Sequence, residues 1–367
     1  MILQNLKLQR YRNLERVDIS WSEHFNVIHG RNAQGKTNLL ESIYLLSHLK
    51  SFRGVRGREI IQHSAENSWI GASVKKTGVQ HKLEIGLQRE GRIPKVDGKA
   101  VHKLSQFLGY LRTVLFTPEE LSNVKGSPAG RRALLDRAIL QTDSNYLDRV
   151  QEYDRALRQR NRLLKQQAAN DQLAPWTESI IRSGARIRHD RIEYLNQFRP
   201  QLEQVYKEIS GGIESAGFKY SATGGSREEL ETQLREAFAR LADREKKLGV
   251  TLAGPHRDDL DFLVDEKSLR LFGSQGQQRS FLLAFKAAQV LDLEDKYKEP
   301  PLLLLDDLAS ELDQERQEGF FNFLLHRRGQ VFLTSAQQPQ LAQEVKKLAT
   351  YFRVDQGQVT TITPERG

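Results

Sequence analysis

The sequence contains no cysteine, which excludes disulfides, thiolate metal sites and cysteine nucleophiles. It contains no apolar run near the ~20 residues that span a bilayer. Its opening, MILQNLKLQRYRNL, has no long apolar core behind the basic residues, unlike a signal peptide. A cytoplasmic protein without membrane attachment is therefore expected. The scattered histidines show no metal-ligand spacing, and there is no internal repeat or low-complexity tract. The charge balance is modestly basic, 56 Lys and Arg against 47 Asp and Glu, or +9. That suits contact with nucleic acid but also suits many soluble proteins. At 367 residues the chain is too long for one small core and points to two or three compact units.

What is present falls into an ordered series. ILQNLKL alternates apolar and polar residues as a half-buried strand does, RYRNLE reads as a turn, and VDISW as a second strand. FNVIHG is a buried strand entering a glycine, and TNLLESIYLLSHL places Leu39, Leu40, Ile43, Leu46 and Leu49 at helical spacing. Short alternating segments from Trp69 to Val96 predict an antiparallel sheet. Ser127-Pro128 is a helix start, with a hydroxyl cap followed by proline at the first helical position. Helical pattern then runs to about Ile209, with a break at ANDQLAP. After SGGIESAG, Ser226 and Glu229 form a capping box for a helix ending near Gly249. The final third returns to strands, one helix after FGSQGQQRSF, and the apolar strand LLLL that ends in two acids. The expected division is residues 1–117, an inserted mostly helical domain at 118–248, and residues 249–367.

Residues 30–37 read GRNAQGKT, a full G-x-x-x-x-G-K-T between a buried strand and an amphipathic helix. In that context the loop Gly30, Arg31, Asn32, Ala33, Gln34, Gly35 can curl its amides around phosphate oxygens at a helix N-terminus. Lys36 would reach the β- and γ-phosphates and Thr37 would bind Mg²⁺, so ATP and Mg²⁺ are the expected ligands. Asn32 and Asn38 are candidates for phosphate or metal contact, or simply suit a loop and a helix start. A second buried strand ending in acid completes such a site. LLLLDD supplies Asp306 for Mg²⁺, directly or through water, and Asp307 to orient or deprotonate the attacking water.

The stretch FGSQGQQRSF offers a second helix start, with the hydroxyl of Ser274, the backbone at Gly276 and the side chain of Gln277. Taken alone it is either an ordinary capped helix with Ser274 as cap or a second anion site. The order of motifs decides which: P-loop, Ser-x-Gly-Gln, acidic strand, then S-E-L-D. That order resembles the ABC ATPase class, in which the serine motif is the signature and Ser310 to Asp313 would be the D-loop. The resemblance implies that Ser274, Gly276 and Gln277 close on ATP held by a second subunit.

The wide gap between P-loop and signature, and VFLTSAQQ without the histidine of transporter ATPases, resemble the SMC-like DNA-repair branch. Within it, PEELSNVKGSPAGRRALLD, GPHRDD and LLLLDDLASELDQERQEGF resemble the RecF family of recombination-mediator ATPases. Leu134, Asn123 and Phe320 depart from that pattern. The resemblance implies an α/β fold, an ABC/SMC-like P-loop ATPase head of two lobes carrying the helical insertion. It implies a weak, DNA-stimulated Mg-ATPase that forms a homodimer on ATP, grips DNA without sequence preference, and helps load recombinase at single-strand gaps. RecO and RecR are the partners it implies. Arg12 and Asn13 match an arginine motif that approaches the nucleotide in SMC-like heads, or are a solvated turn. Arg53 is a coupling arginine or an exposed one, and Thr334 or Ser335 would stand in for the missing histidine. Lys75, Lys76, Lys82 and Arg89 are candidates for DNA contact, or a solvated face. Arg132 and Asp136 stand four apart on one helix and can pair. The competing readings are a transport ATPase subunit and a non-catalytic DNA scaffold.

Overall fold

The computed structural model describes residues 1–55, 57–89, 91–307, 314–327, 329–337, 341 and 343–362. The chain forms two compact units, residues 1–121 with 282–367, and residues 122–281.

The first unit holds two six-stranded sheets. One runs in the order 358–362, 349–355, 25–29, 331–335, 302–305, 113–116, with every neighbouring pair parallel except the terminal hairpin. Its strands FNVIH, VFLTS and LLLL, and the edge strand TVLF, are apolar and buried along nearly their whole lengths. That is the composition of strands covered on both faces. Parallel pairing brings the carboxyl ends of Phe25–His29, Leu302–Leu305 and Val331–Ser335 to one edge. That edge is where α/β sheets bind ligands. The helix Lys36–His48 leaves from it, and Leu39, Leu40, Ile43 and Leu46 are buried as the spacing predicts.

The second sheet is an antiparallel meander in the order 14–20, 2–11, 67–76, 79–88, 91–96, 99–100. Leu6, Leu8, Ile70, Ala72, Val74, Leu83 and Ile85 are buried, the period-two pattern of a sheet with one face in the core. RYRNLE is the turn expected, with Arg12 in the left-handed region at φ 54°.

The other unit is mostly helical. Pro128–Thr142, Tyr146–Lys165, Asn170–Ile209 and Arg227–Leu248 pack with a three-stranded sheet ordered 267–268, 260–264, 216–220. Residues 249–281, grouped above with the last lobe, belong to this unit, because Leu260–Val264 pairs antiparallel with Ala216–Tyr220. Both helix starts read from sequence are present. Ser127 accepts from Gly130 N, and Ser226 and Glu229 exchange hydrogen bonds as a capping box. The break at ANDQLAP falls earlier, so that Pro175 and Pro200 lie inside one 40-residue helix. Its buried stripe, including Ile180, Ile181, Ile187, Leu195 and Leu202, supplies the packing that holds a helix past such residues.

Arginine–carboxylate pairs tie this unit together. Arg131 grips both oxygens of Asp259 at 2.8 Å, and Arg188 takes Asp258 at 2.6 and 2.9 Å. Asp136 pairs with Arg191 of the long helix at 2.9 Å rather than with Arg132, which donates to the carbonyl of Asp258. GPHRDD is thus a hydrogen-bonded turn. His256 lies against the Tyr153 hydroxyl and Thr251 O, and burial lowers its pKa from 6.5 to about 4. A histidine kept neutral by folding stabilises fully above the unfolded pKa, and its contribution is lost as pH falls toward the folded value. Unfolding free energy, measured by urea titration, should therefore fall less between pH 6.5 and 4 in a His256→Gln variant than in the parent chain.

Candidate nucleotide site

The loop between Phe25–His29 and Lys36–His48 alternates backbone sign. Gly30, Ala33 and Gly35 have φ 155°, 64° and 118°. Such alternation turns successive amides toward one concavity, a nest for anions. Two glycines are also required by neighbours. A Cβ on Gly30 would lie 2.2 Å from Val354 O on the adjacent strand, and one on Gly35 would lie 2.9 Å from Asn13 Oδ1. The loop is braced from outside. Asn13 Nδ2 donates to Gln34 O at 2.9 Å, and Gly357 N donates to the same carbonyl at 3.2 Å. Asn38 Nδ2 donates to Asn13 Oδ1 at 2.7 Å.

The Lys36 ammonium donates to Gly30 O at 2.7 Å and Arg31 O at 3.0 Å. Burial lowers its pKa, opposed by Asp307 and Asp306. The Thr37 hydroxyl donates to Asp306 Oδ1 at 2.9 Å across 269 residues of sequence. Burial raises the Asp306 pKa, opposed by hydrogen bonds from Thr334 and Thr37. The structure therefore joins Lys36, Thr37, Asp306 and Asp307 in one place, as the motifs require. Its donor set fits Mg²⁺. A hydroxyl and one carboxylate provide hard oxygen ligands and leave the remaining positions to water and phosphate. Among the described residues no group of three or more His, Cys, Asp or Glu gathers to hold a metal by itself.

Arg31, Asn32 and Ala33 are exposed at the loop tip. Arg12 is placed differently from Asn13. Its Nε and Nη2 donate to the buried Glu41 at 3.0 and 2.7 Å, and Nη1 donates to Glu59 O at 2.9 Å. Its guanidinium is held by Glu41 and the Glu59 carbonyl. Glu41, which sequence reasoning passed over, also accepts from the Ser51 hydroxyl. Arg53 donates to Asn38 Oδ1 at 3.1 Å. Arg12, Asn13, Asn38, Arg53, Arg58 and Arg89 line a cavity of about 760 Å³ beside the start of the phosphate-loop helix.

Ser274, Gly276 and Gln277 stand at the start of the helix Gln275–Tyr297, and all three belong to the unit of residues 122–281. Ser274 N donates to Gln277 Oε1 at 2.8 Å and Gln277 N donates to Ser274 Oγ at 3.1 Å. This reciprocal pair is a capping box with glutamine in the third position. Gln277 Nε2 also donates to Glu214 Oε1 at 2.8 Å. Ser274 is exposed. Ser310 to Asp313 lie outside the described residues.

Comparison with known proteins gives this arrangement its family. The profile of the RecF/RecN/SMC N terminal domain matches residues 2–360. The DNA replication and repair protein RecF of Syntrophotalea carbinolica is 45% identical, covering 98% of this chain and 99% of its own. The chain belongs to the RecF family. RecF of Geobacter sulfurreducens is 41% identical over 99% of this chain and all of its own length. A solved RecF–ATPrS structure, described as a recombination mediator protein in the RecFOR pathway, superposes with TM-score 0.90 at 29% identity. It covers 99% of this chain and 98% of that one. An Smc head bound to the C-winged helix domain of ScpA, 14% identical with TM-score 0.57 over 100% of this chain and 99% of its own, shares the fold. The α/β, SMC-like head expected from sequence is therefore the fold of this RecF-family chain.

The basic residues proposed for DNA divide by sheet face. Register places Lys75 opposite Gln80 and Ser73 opposite Lys82, so Lys75 and Lys82 share one face. Lys76 belongs to the other and sits 5.3 Å from the centre of the Tyr110 ring. Lys82 is paired with Glu84 at 3.1 Å. Among the described residues no helix is long and apolar enough to cross a membrane.

Proposed function

We propose that this RecF-family chain is a weak, DNA-stimulated Mg-ATPase of DNA replication and repair. Two copies close on ATP, grip DNA and promote recombinase loading at single-strand gaps. The observation that carries the nucleotide chemistry is the meeting of Lys36 and Thr37 with Asp306 and Asp307 at the sheet edge. RecF relatives named as DNA replication and repair proteins, and solved RecF structures titled with ATP and ATPrS, support the biological setting.

Lys36 exchanges the carbonyls of Gly30 and Arg31 for β- and γ-phosphate oxygens, with loop amides from Gly30 to Gly35 completing the cradle. Thr37 and Asp306 would hold Mg²⁺, and the ion would supply positive charge against the phosphates. Asp307 orients the attacking water and takes its proton. Asn13 and Asn38 stand at the loop's flank, and Arg12 acts through Glu41 to keep that flank in place. From the second subunit, the Ser274 hydroxyl proton and the Gly276 N–H meet the γ-phosphate, while Gln277 holds Ser274 in place through the cap. ATP favours the closed dimer because its γ-phosphate touches both subunits in that state only. DNA is held through its backbone by Lys and Arg, without base recognition. RecR and RecO are partners, and the setting is the cytoplasm.

Sizing the protein with and without ATP-Mg²⁺ and duplex DNA, alongside ATPase rates, tests this. The expected result is a dimer only with ATP, and turnover that rises with DNA. Turnover indifferent to DNA would favour a transport-type subunit, and absence of turnover a non-catalytic scaffold.

A further inference from the structure

Asp306 and Asp307 are adjacent in sequence, yet one must serve a cation and the other a water. The backbone separates them by turning left-handed at Asp307, φ 49°. A residue with a side chain stays in that region only when its surroundings hold it there. Asp306 N donates to Phe116 O at 2.9 Å, which fixes the strand end. Asp307 N donates to Thr334 Oγ1 at 3.0 Å, and the same hydroxyl donates to Asp306 Oδ1 at 2.7 Å. A hydroxyl has one proton to give, and both of its bonds here go to the acid pair. The side chain lies fully inside the sheet, with Thr334 only 1% exposed. The pairing of Leu305 with Leu333 delivers it there by register.

We infer that Thr334 is a positioning residue for the two acids: it aims the Asp306 carboxylate and holds the turn that presents Asp307. This rests on the nucleotide-hydrolysis reading above. Thr37 also donates to Asp306 Oδ1, at 2.9 Å, but its hydroxyl has a second duty at the cation. Thr334 comes from a different strand and has no such duty, so its hold on the pair persists whatever Thr37 binds. Sequence reasoning offered Thr334 or Ser335 as a stand-in for the transporter histidine. The hydrogen bonds of Thr334 go to the backbone of Asp307 and the carboxylate of Asp306.

Thr334→Val keeps the volume and branching suited to a strand and removes the hydroxyl, while Thr334→Ser keeps the hydroxyl. Two readouts are needed: affinity for a fluorescent ATP analogue across a Mg²⁺ titration and in EDTA, and kcat with KM. The valine variant should need about 10-fold or more Mg²⁺ for tight nucleotide binding, with kcat down about 10- to 100-fold. Its affinity in EDTA, its KM at saturating Mg²⁺ and its circular dichroism should stay close to the parent's. The serine variant should recover most of both losses. A valine variant with parental Mg²⁺ dependence and kcat overturns the inference. So does a serine variant as impaired as valine, since packing rather than the hydroxyl would then matter. A parent chain whose nucleotide binding ignores Mg²⁺ removes the hydrolysis reading itself, and the inference with it.

Discussion

Lys36→Ala is expected to lower ATP turnover by about two to three orders of magnitude, the usual loss when a fixed charge on the developing anion is removed. Lys36 is buried, and the loop carbonyls of Gly30 and Arg31 hold its ammonium where phosphate oxygens would lie. Burial destabilises that charge, while Asp306 and Asp307 support it only in part. A bound polyphosphate supplies the missing counter-charge, so binding and stabilisation of Lys36 are linked. Alanine is the best helix former, and the position opens the helix Lys36–His48, so the fold should survive. Single-turnover hydrolysis, with a thermal melt as control, separates the two. Lys36→Arg should also weaken binding or turnover, because a planar fork does not replace a point charge inside a tight loop. Turnover within a few-fold of the parent in the alanine variant would remove the phosphate-loop assignment.

Ser274 poses a different problem, because its side chain has a structural duty that any substitution touches. It accepts from Gln277 N and so caps the helix, and loss of such a cap costs about 1 kcal/mol. Ser274→Asp resolves this. Aspartate caps as well as serine and suits the positive end of the helix, but it repels a phosphate. The variant should melt with the parent and bind ATP with parental affinity. It should fail to dimerise with ATP-Mg²⁺ in sedimentation or sizing experiments. Ser274→Arg should lose both the cap and the dimer. If the aspartate variant dimerises on ATP like the parent, the signature reading is wrong, and Ser274 is a cap and nothing more.

Much of the site was legible because its signals are local. GRNAQGKT and LLLLDD each announce themselves within a few residues, and the caps at Ser127, Ser226 and Ser274 depend on groups at most three positions away. What escaped is long-range. Gly30 reads as a phosphate-loop glycine, yet the atom that would clash with its Cβ is Val354 O. Arg12 reads as a nucleotide contact or a solvated turn, and neither reading names Glu41, 29 residues on, which takes its guanidinium. Arg132 and Asp136 have the spacing of a helical pair, yet Arg191 takes the aspartate. An exposed pair at that spacing contributes only a few tenths of a kcal/mol. A bidentate partner nearby readily displaces it.

The sequence by itself determined the phosphate loop, the acid pair, the helix caps and the alternation of buried strands with helices. Each follows from backbone chemistry and hydrophobic period within one element. Only the tertiary structure decided which side chains share a carboxylate, because parallel strands join residues far apart in the chain. Thr37, Thr334 and Asp306 meet in this way, and no period or local spacing encodes that meeting.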